Sequence, residues 1–292
     1  MQDTLSLLRK YGFHPRKSLG QNFLIDSTAP HRIAESADLT ADDTVLEIGA
    51  GLGALTYELG QRCHRVYAVE TDPHLVAILQ HELAPYKNIK IVEKDILKLD
   101  PASVLDMHPP SIQPQLWGSL IQNYVVVANL PYYITAAVMR HIFESTIRPD
   151  RMVVTVQREV AQRMIAQPGE MSLLSISTQF YSLPRIVMRL KRGAFSPPPK
   201  VESAVVRMDL YDNPPVVAGN IELFFDIVKA GFSQKRKQLR NSLAAGLHLH
   251  TSVIEKVLAK CEVDHTRRAE TLSLEEWSGV YQSLSSYIGH SP

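Results

Sequence analysis

Two short segments concentrate the residues of this chain that have chemistry to offer. In LEIGAGLGAL (46–55) a β-branched run ends in an acid and is followed by Gly49, Gly51 and Gly53, after which helical spacing begins. Glycines at such a junction allow a tight turn and let a ligand approach the backbone where a Cβ would block it. The pattern fits a dinucleotide turn, counted on Gly49, Gly51 and Ala54, as well as the Gly-x-Gly-x-Gly turn of methyltransferases. Glu70 ends the next apolar run 21 residues after Gly49, where a carboxylate can accept hydrogen bonds from both hydroxyls of a ribose. Asp95 follows a third run 25 residues later, placed to hold an adenine amino group. Acids at successive strand ends point to an adenosine-containing cofactor. The second segment is Asn129-Leu130-Pro131-Tyr132. An adenine exocyclic amine is a poor nucleophile because its lone pair is delocalised into the ring. Two acceptors, the Asn129 side-chain oxygen and the carbonyl of Pro131 or of Leu130, could each take one amine hydrogen and aim the lone pair at a sulfonium methyl. Positioning and electrostatics then suffice, with no metal and no covalent intermediate. Tyr132 offers a ring face on which an extruded base can stack.

These residues need a scaffold that brings strand ends together. TVLEI (44–48), RVYAVE (65–70), IKIVE (89–93), YVVVANL (124–130) and RMVVTVQ (151–157) read as strands, and 54–59, 73–83 and 135–143 have helical spacing. Thr71 and Asp72 cap the second helix, with Pro73 in its first turn. Alternating strands and helices imply a parallel sheet covered on both faces. Residues 98–122, with four prolines and no clear period, read as an irregular insertion. RIVMRL (185–190) and SAVVRMDL (203–210) add two strands, one of them antiparallel at the sheet's edge. Beyond Asn213-Pro214-Pro215 the chain turns helical, at 223–232, 237–247, 252–261 and 274–287. The expected architecture is α/β: a Rossmann-like domain over 1–212 and a small all-α domain over 213–292.

The chain has 292 residues, with 31 Lys plus Arg against 30 Asp plus Glu, a formal net charge of +1. That balance argues against a highly basic coat protein and against an acidic disordered tail. It hides a partition: 38–110 carries 6 basic and 12 acidic side chains, 148–208 carries 10 basic and 4 acidic. No apolar run approaches the roughly 20 residues that cross a bilayer. The N-terminal MQDTLSLLRKYGF lacks the apolar core of a secretory signal, so a cytoplasmic setting is expected. Cys63, in a stretch read as helical, and Cys261 lack metal-ligand spacing and read as ordinary reduced thiols.

From Lys17 to Ser273 the chain resembles the KsgA/RsmA-type small-subunit rRNA adenine dimethyltransferases. The matching segments are KSLGQNFL (17–24), LEIGAGLGALT (46–56), VVANLPYYIT (126–135), QREVAQRM (157–164), GAFSPPPKVESAVVRM (193–208), FSQKRKQLRNSL (232–243) and RRAETLS (267–273). The resemblance implies S-adenosylmethionine-dependent conversion of two adjacent adenosines, in a hairpin loop near the 3′ end of 16S rRNA, to dimethyladenosines within the immature small ribosomal subunit. It also implies cofactor contacts at Asn22, Leu24, Gly49, Glu70, Asp95 and Asn129, to which the glycine turn itself adds Gly51, and target-base contacts at Asn129, Pro131 and Tyr132. Phe195, an aromatic held on the stiff segment before three prolines, is expected as a second stacking face. Two departures stand out: GAGLG where the family usually has GPGLG, and Glu170-Met171-Ser172-Leu173-Leu174-Ser175 where it usually has Tyr-Gly-Arg-Leu-Ser.

Residues 227–254 hold Lys229, Lys235, Arg236, Lys237 and Arg240 and no acid, with the last four read as the start of a helix. Such a cluster neutralises phosphates and releases counterions. With Arg9, Lys10, Arg16, Lys17, Arg158, Arg163, Arg189, Lys191 and Arg192, it suggests recognition of RNA by shape and phosphate around a splayed loop. Several rival readings remain: a nicotinamide dehydrogenase, a DNA adenine methyltransferase, an erythromycin-resistance-like 23S rRNA methyltransferase, and an assembly or checkpoint factor without essential catalysis. A cytosine C5 methyltransferase would need a nucleophilic cysteine in a suitable turn, which neither Cys63 nor Cys261 offers. A monomer is expected.

Overall fold

The computed structural model describes residues 3–16, 20–105, 124–216 and 219–288. Lys17 and the part of the 98–122 insertion beyond residue 105 fall outside them. Nine strands are seen among the described residues: β1 (Phe23–Leu24), β2 (Thr44–Ile48), β3 (Arg65–Glu70), β4 (Ile89–Glu93), β5 (Tyr124–Asn129), β6 (Arg151–Gln157), β7 (Ser182–Leu190), β8 (Phe195–Ser196) and β9 (Ser203–Leu210). Seven form one sheet in the order β4-β3-β2-β5-β6-β9-β7, while β1 and β8 make a separate antiparallel pair. β2 to β6 are mutually parallel and β9 runs antiparallel to β6. Residues 124 to 128 of β5 are each fully buried, so layers cover both faces of the sheet, as continuous Val-rich strands require.

This order reverses between β2 and β5, the crevice where open α/β sheets bind ligands at the strands' carboxyl ends. Ile48 pairs with Ala128, so the next residues of each strand, Gly49 and Asn129, emerge side by side. Helix Ala54–Gly60 follows the glycine turn, and helix Pro73–Glu82 starts from Asp72, whose carboxylate accepts the His74 N–H at 3.1 Å.

The chain divides into two compact units. One comprises 1–161 and 183–213, the other 162–182 and 214–292. The sequence reading assigns 162–182 to the first domain; the structure groups it with the second because helix Leu173–Tyr181 brings Phe180 onto Phe224, rings stacked at 5.0 Å. A capping box between Ser172 and Ser175 starts that helix, so the departure at 170–175 supplies a helix start. In the same unit Trp277 is fully buried, with Gly231 leaving the space its ring occupies.

Candidate active site

Gly49, Gly51 and Gly53 take φ of +78°, +59° and +83°, a left-handed region in which side chains are strained. Space is also short: a Cβ on Gly53 would lie 2.9 Å from Leu79 Cδ2 and one on Gly51 3.3 Å from the Phe23 ring. The Val69 carbonyl accepts both the Gly49 N–H at 2.9 Å and the Ala50 N–H at 3.3 Å. A proline at position 50 has no N–H to give, so the GAGLG variant adds a hydrogen bond where it loses a φ restraint.

Glu70, at the end of β3, fastens this turn from the other side. One carboxylate oxygen accepts the Gly51 N–H at 2.9 Å, and the other accepts those of Thr71 and Asp72 at 2.8 and 3.0 Å. A carboxylate has about four acceptor sites. Those three N–H groups and the Thr71 hydroxyl, which donates at 3.5 Å, account for all four, so a ribose hydroxyl would have to share the carboxylate with that weakest contact or displace it. Asp95 accepts the Leu97 N–H at 3.1 Å through one oxygen, and the other makes no hydrogen bond among the described residues.

Asn129 carries the most informative contact. Its Nδ2 donates to the Asn22 carbonyl at 3.3 Å. A carbonyl can only accept, so the amide nitrogen must face it and Oδ1 is left as an acceptor. The Pro131 carbonyl takes the Ile134 N–H at 3.1 Å and retains its second lone pair. Tyr132 is half-buried, and its hydroxyl lies 2.6 Å from Ser203 Oγ at the start of β9, with burial outweighing that bond to push the phenol above its ordinary range.

Asn22, Leu24, Gly49, Gly51, Glu70, Asp95, Asn129, Pro131 and Tyr132 all line one cavity of about 510 Å³. Phe195 does not. It is 2 % exposed and sits in the core, because β8 pairs with β1 and sets Phe195 opposite Leu24. Its place differs from the expectation of a second stacking face: in this structure the ring belongs to the core cluster and does not line the cavity.

Glu47 has no role in the sequence reading beyond being an acid before the glycine turn. The structure buries it to 1 % exposure in β2, lining the cavity with Oε2 unpartnered among the described residues. Burial pushes its carboxyl up to about 8, opposed by the Thr56 hydroxyl and aided by the charge of Glu70. An acid inside an apolar buried strand is a signal visible in TVLEI. Ser203, 71 residues from the tyrosine it holds, leaves no local signal.

These features fit S-adenosylmethionine. Its amino-acid ammonium suits the orphaned Glu47 oxygen, its body the bare backbone at Gly49, where the nearest atom to a Cβ is the Asn129 carbonyl oxygen at 3.6 Å, and its nucleoside the carboxylates Glu70 and Asp95. The cavity is of ordinary size for such a ligand. Cys63 lies in the bend before β3 rather than in a helix, and burial pushes its thiol up to about 12, which removes it as a nucleophile. Among the described residues no three His, Cys, Asp or Glu side chains are grouped to hold a metal, and no helix is long and apolar enough to cross a membrane.

In the helical unit, Lys235, Arg236 and Lys237 are exposed, in the turn between helices Ile221–Phe232 and Leu239–Leu247 rather than at a helix start. Arg240 is committed to Glu255 at 2.7 Å and Lys229 to Asp226 at 2.9 Å. The acid-free window thus ends one residue short of an acid that neutralises part of it.

Comparison with known proteins agrees with this chemistry. The chain is 42 % identical over 278 residues to a ribosomal RNA small subunit methyltransferase A of Dehalococcoides mccartyi, covering 95 % of this chain and 91 % of that one. It is 38 % identical over 285 residues to the protein of the same name from Alkaliphilus oremlandii, covering 97 % and 96 %. Among solved structures, the 23S rRNA methyltransferase ErmE matches with a TM-score of 0.69 and 28 % identity, covering 90 % of this chain and all of that one. A dimethyladenosine transferase from Plasmodium falciparum matches in fold, with a TM-score of 0.73 at 21 % identity over 91 % of this chain and 98 % of that one. Residues 12–280 match the family described as ribosomal RNA adenine dimethylase. A cavity that suits a sulfonium cofactor beside an amine-acceptor pair is what that match predicts, and the chain belongs to the ribosomal RNA adenine dimethylase family.

Proposed function

We propose that the enzyme dimethylates the exocyclic amines of two adjacent adenosines in the hairpin loop near the 3′ end of 16S rRNA, acting as a cytoplasmic monomer on immature small subunits. The observation that carries the chemistry is the orientation of Asn129, whose amide nitrogen is spent on the Asn22 carbonyl so that Oδ1 accepts. S-adenosylmethionine, when bound, supplies an electrophilic methyl on a sulfonium. Glu47 holds the ammonium end, and the glycine turn admits the body against bare backbone. Glu70 and Asp95 orient the nucleoside. Asn129 Oδ1 and the carbonyl of Pro131, or of Leu130, take the two amine hydrogens and fix the lone pair, while the Tyr132 ring stacks on the base. The acceptors around the target amine keep their protonation state, and the methylated nitrogen sheds its proton to solvent. Glu47, raised to about 8 in the ligand-free protein, gives up its proton on pairing with the ammonium. Methyl transfer itself is by orientation and fixed dipoles.

Small-subunit RNA is favoured over the 23S alternative by identities of 42 % and 38 % to proteins named for the small subunit, against 28 % to ErmE. Labelled S-adenosylmethionine offered with undermethylated small subunits, naked 16S and 23S rRNA, and DNA tests the reading. Dimethyladenosine in the small-subunit RNA is expected. Label confined to 23S rRNA or DNA, or no label with intact binding as for a pure assembly factor, refutes it.

The exposed turn Lys235-Arg236-Lys237 is read as a phosphate-binding element. Replacing all three with alanine is expected to flatten the salt dependence of RNA binding by up to roughly 0.7 log units for each phosphate that the turn no longer neutralises. An unchanged slope assigns these charges to solvent.

A further inference from the structure

Three aromatics line the cavity: Phe23, which is buried, Tyr132, which is half-buried, and Tyr133, which the sequence reading passes over. Tyr133 shares the 3₁₀ turn Tyr132–Ile134 and lines the same cavity, yet it is 66 % exposed. No other exposed large apolar side chain among the described residues is as open; Leu183 follows at 55 %. The ring is nonetheless seated. A Cβ on Gly20 would lie 3.1 Å from its Cδ1 and Cε1, and Gly20 has φ +62°, so a bare backbone turn packs against the ring edge. Its hydroxyl makes no hydrogen bond among the described residues. The result is an aromatic surface steadied on one side and given to water on the other.

We propose that Tyr133 is an outer base platform, on which the nucleobase flanking the extruded adenosine stacks. The inference rests on the RNA adenine reading above. An adenosine drawn into the cavity leaves its strand passing the cavity mouth, and the next base, pulled from its own stack, needs a new apolar face. Tyr133 offers one in the residue next to Tyr132. Stacking without a hydrogen-bonding side chain is tolerant of base identity. The ligand class is therefore any unpaired nucleobase adjacent to the target, with the two-adenosine substrate as one instance.

The test pairs enzyme variants with RNA variants. Undermethylated small subunits are reconstituted on RNA with the two adjacent loop adenosines, either intact or with an abasic nucleotide on the 5′ or the 3′ side of the target. Affinity and single-turnover methylation are measured for the wild type, Tyr133→Phe and Tyr133→Ala. On intact RNA, Tyr133→Ala is expected to lose roughly fivefold to a hundredfold in affinity, the range for one base–aromatic stack, and Tyr133→Phe little. On one of the two abasic RNAs the wild type should fall to the level of the alanine variant, and the alanine variant should lose nothing more. Equal losses from Tyr133→Ala on intact and both abasic RNAs would assign Tyr133 a structural role and overturn the platform alone. Failure of the wild type to bind or methylate any of these RNAs would overturn the adenine reading and the platform with it.

Discussion

The two walls of the cavity are built by opposite means. At the ends of β2, β3 and β4 the acidic wall is held by local backbone: Glu70 fastens three N–H groups within its own turn and the glycine turn, and Asp95 caps its own 3₁₀ turn. At the end of β5 the aromatic wall depends on side chains distant in sequence, through Tyr132 on Ser203 and Asn129 on Asn22. It ends in the open ring of Tyr133. A small charged ligand is best served by donors and acceptors fixed before it arrives, because no reorganisation is then needed on binding. A base on a long strand must enter from solvent, so the wall that receives it stays accessible and is braced only at single points.

If the division is right, removing an acceptor from the aromatic wall should cost chemistry, and removing one from the acidic wall should cost cofactor. Asn129→Ala is the severest case, with methyl transfer expected to fall roughly a hundredfold to a thousandfold, the cost of one positioned transition-state hydrogen bond. RNA affinity should hold, since no phosphate-binding group is touched. Single-turnover kinetics alongside filter binding separates the two, and full activity would remove Asn129 from the mechanism.

Glu47→Gln is expected to weaken S-adenosylmethionine binding by about tenfold or somewhat more, the value of a hydrogen bond to a charged group, with RNA affinity unmoved. Titration calorimetry measures it. The same variant has a pH signature in the ligand-free protein. Burial raises the Glu47 carboxyl from an ordinary 4.5 to about 8, so the folded state holds a proton that the unfolded state has released. Its contribution to stability is complete below pH 4.5 and is lost as pH rises toward 8, by up to about 1.4 kcal/mol per pH unit. Melting curves across that window should fall less steeply for Glu47→Gln. An unchanged slope would place the linkage on another group.

The smallest effect belongs to the brace behind Tyr132. Ser203→Ala and Tyr132→Phe should each reduce kcat/KM for RNA about twofold to tenfold, and the double variant no further, because both remove one hydrogen bond. Additive losses would mean that the 2.6 Å hydrogen bond does not position the ring.

Much of the acidic wall was readable from the chain. Strand limits at 44–48, 65–70, 89–93 and 151–157 coincide with the β-branched runs, and a carboxylate at the end of a parallel strand lies at the ligand edge by topology alone. Phe195 misled for a physical reason: stiffness before three prolines says that a ring is fixed, not which way it faces. Its burial follows from pairing with a strand about 170 residues earlier. The run of cations from 229 to 240 misled similarly, since Arg240 meets Glu255 only through the packing of successive helices.

Local periodicity and turn chemistry therefore set the elements, their order and the cofactor edge, because those depend on neighbours in the chain. The orientation of Asn129, the tether on Tyr132, the burial of Phe195 and the exposure of Tyr133 came from packing between segments remote in sequence. A side chain's partners there are chosen by the whole fold, and no window of residues contains them.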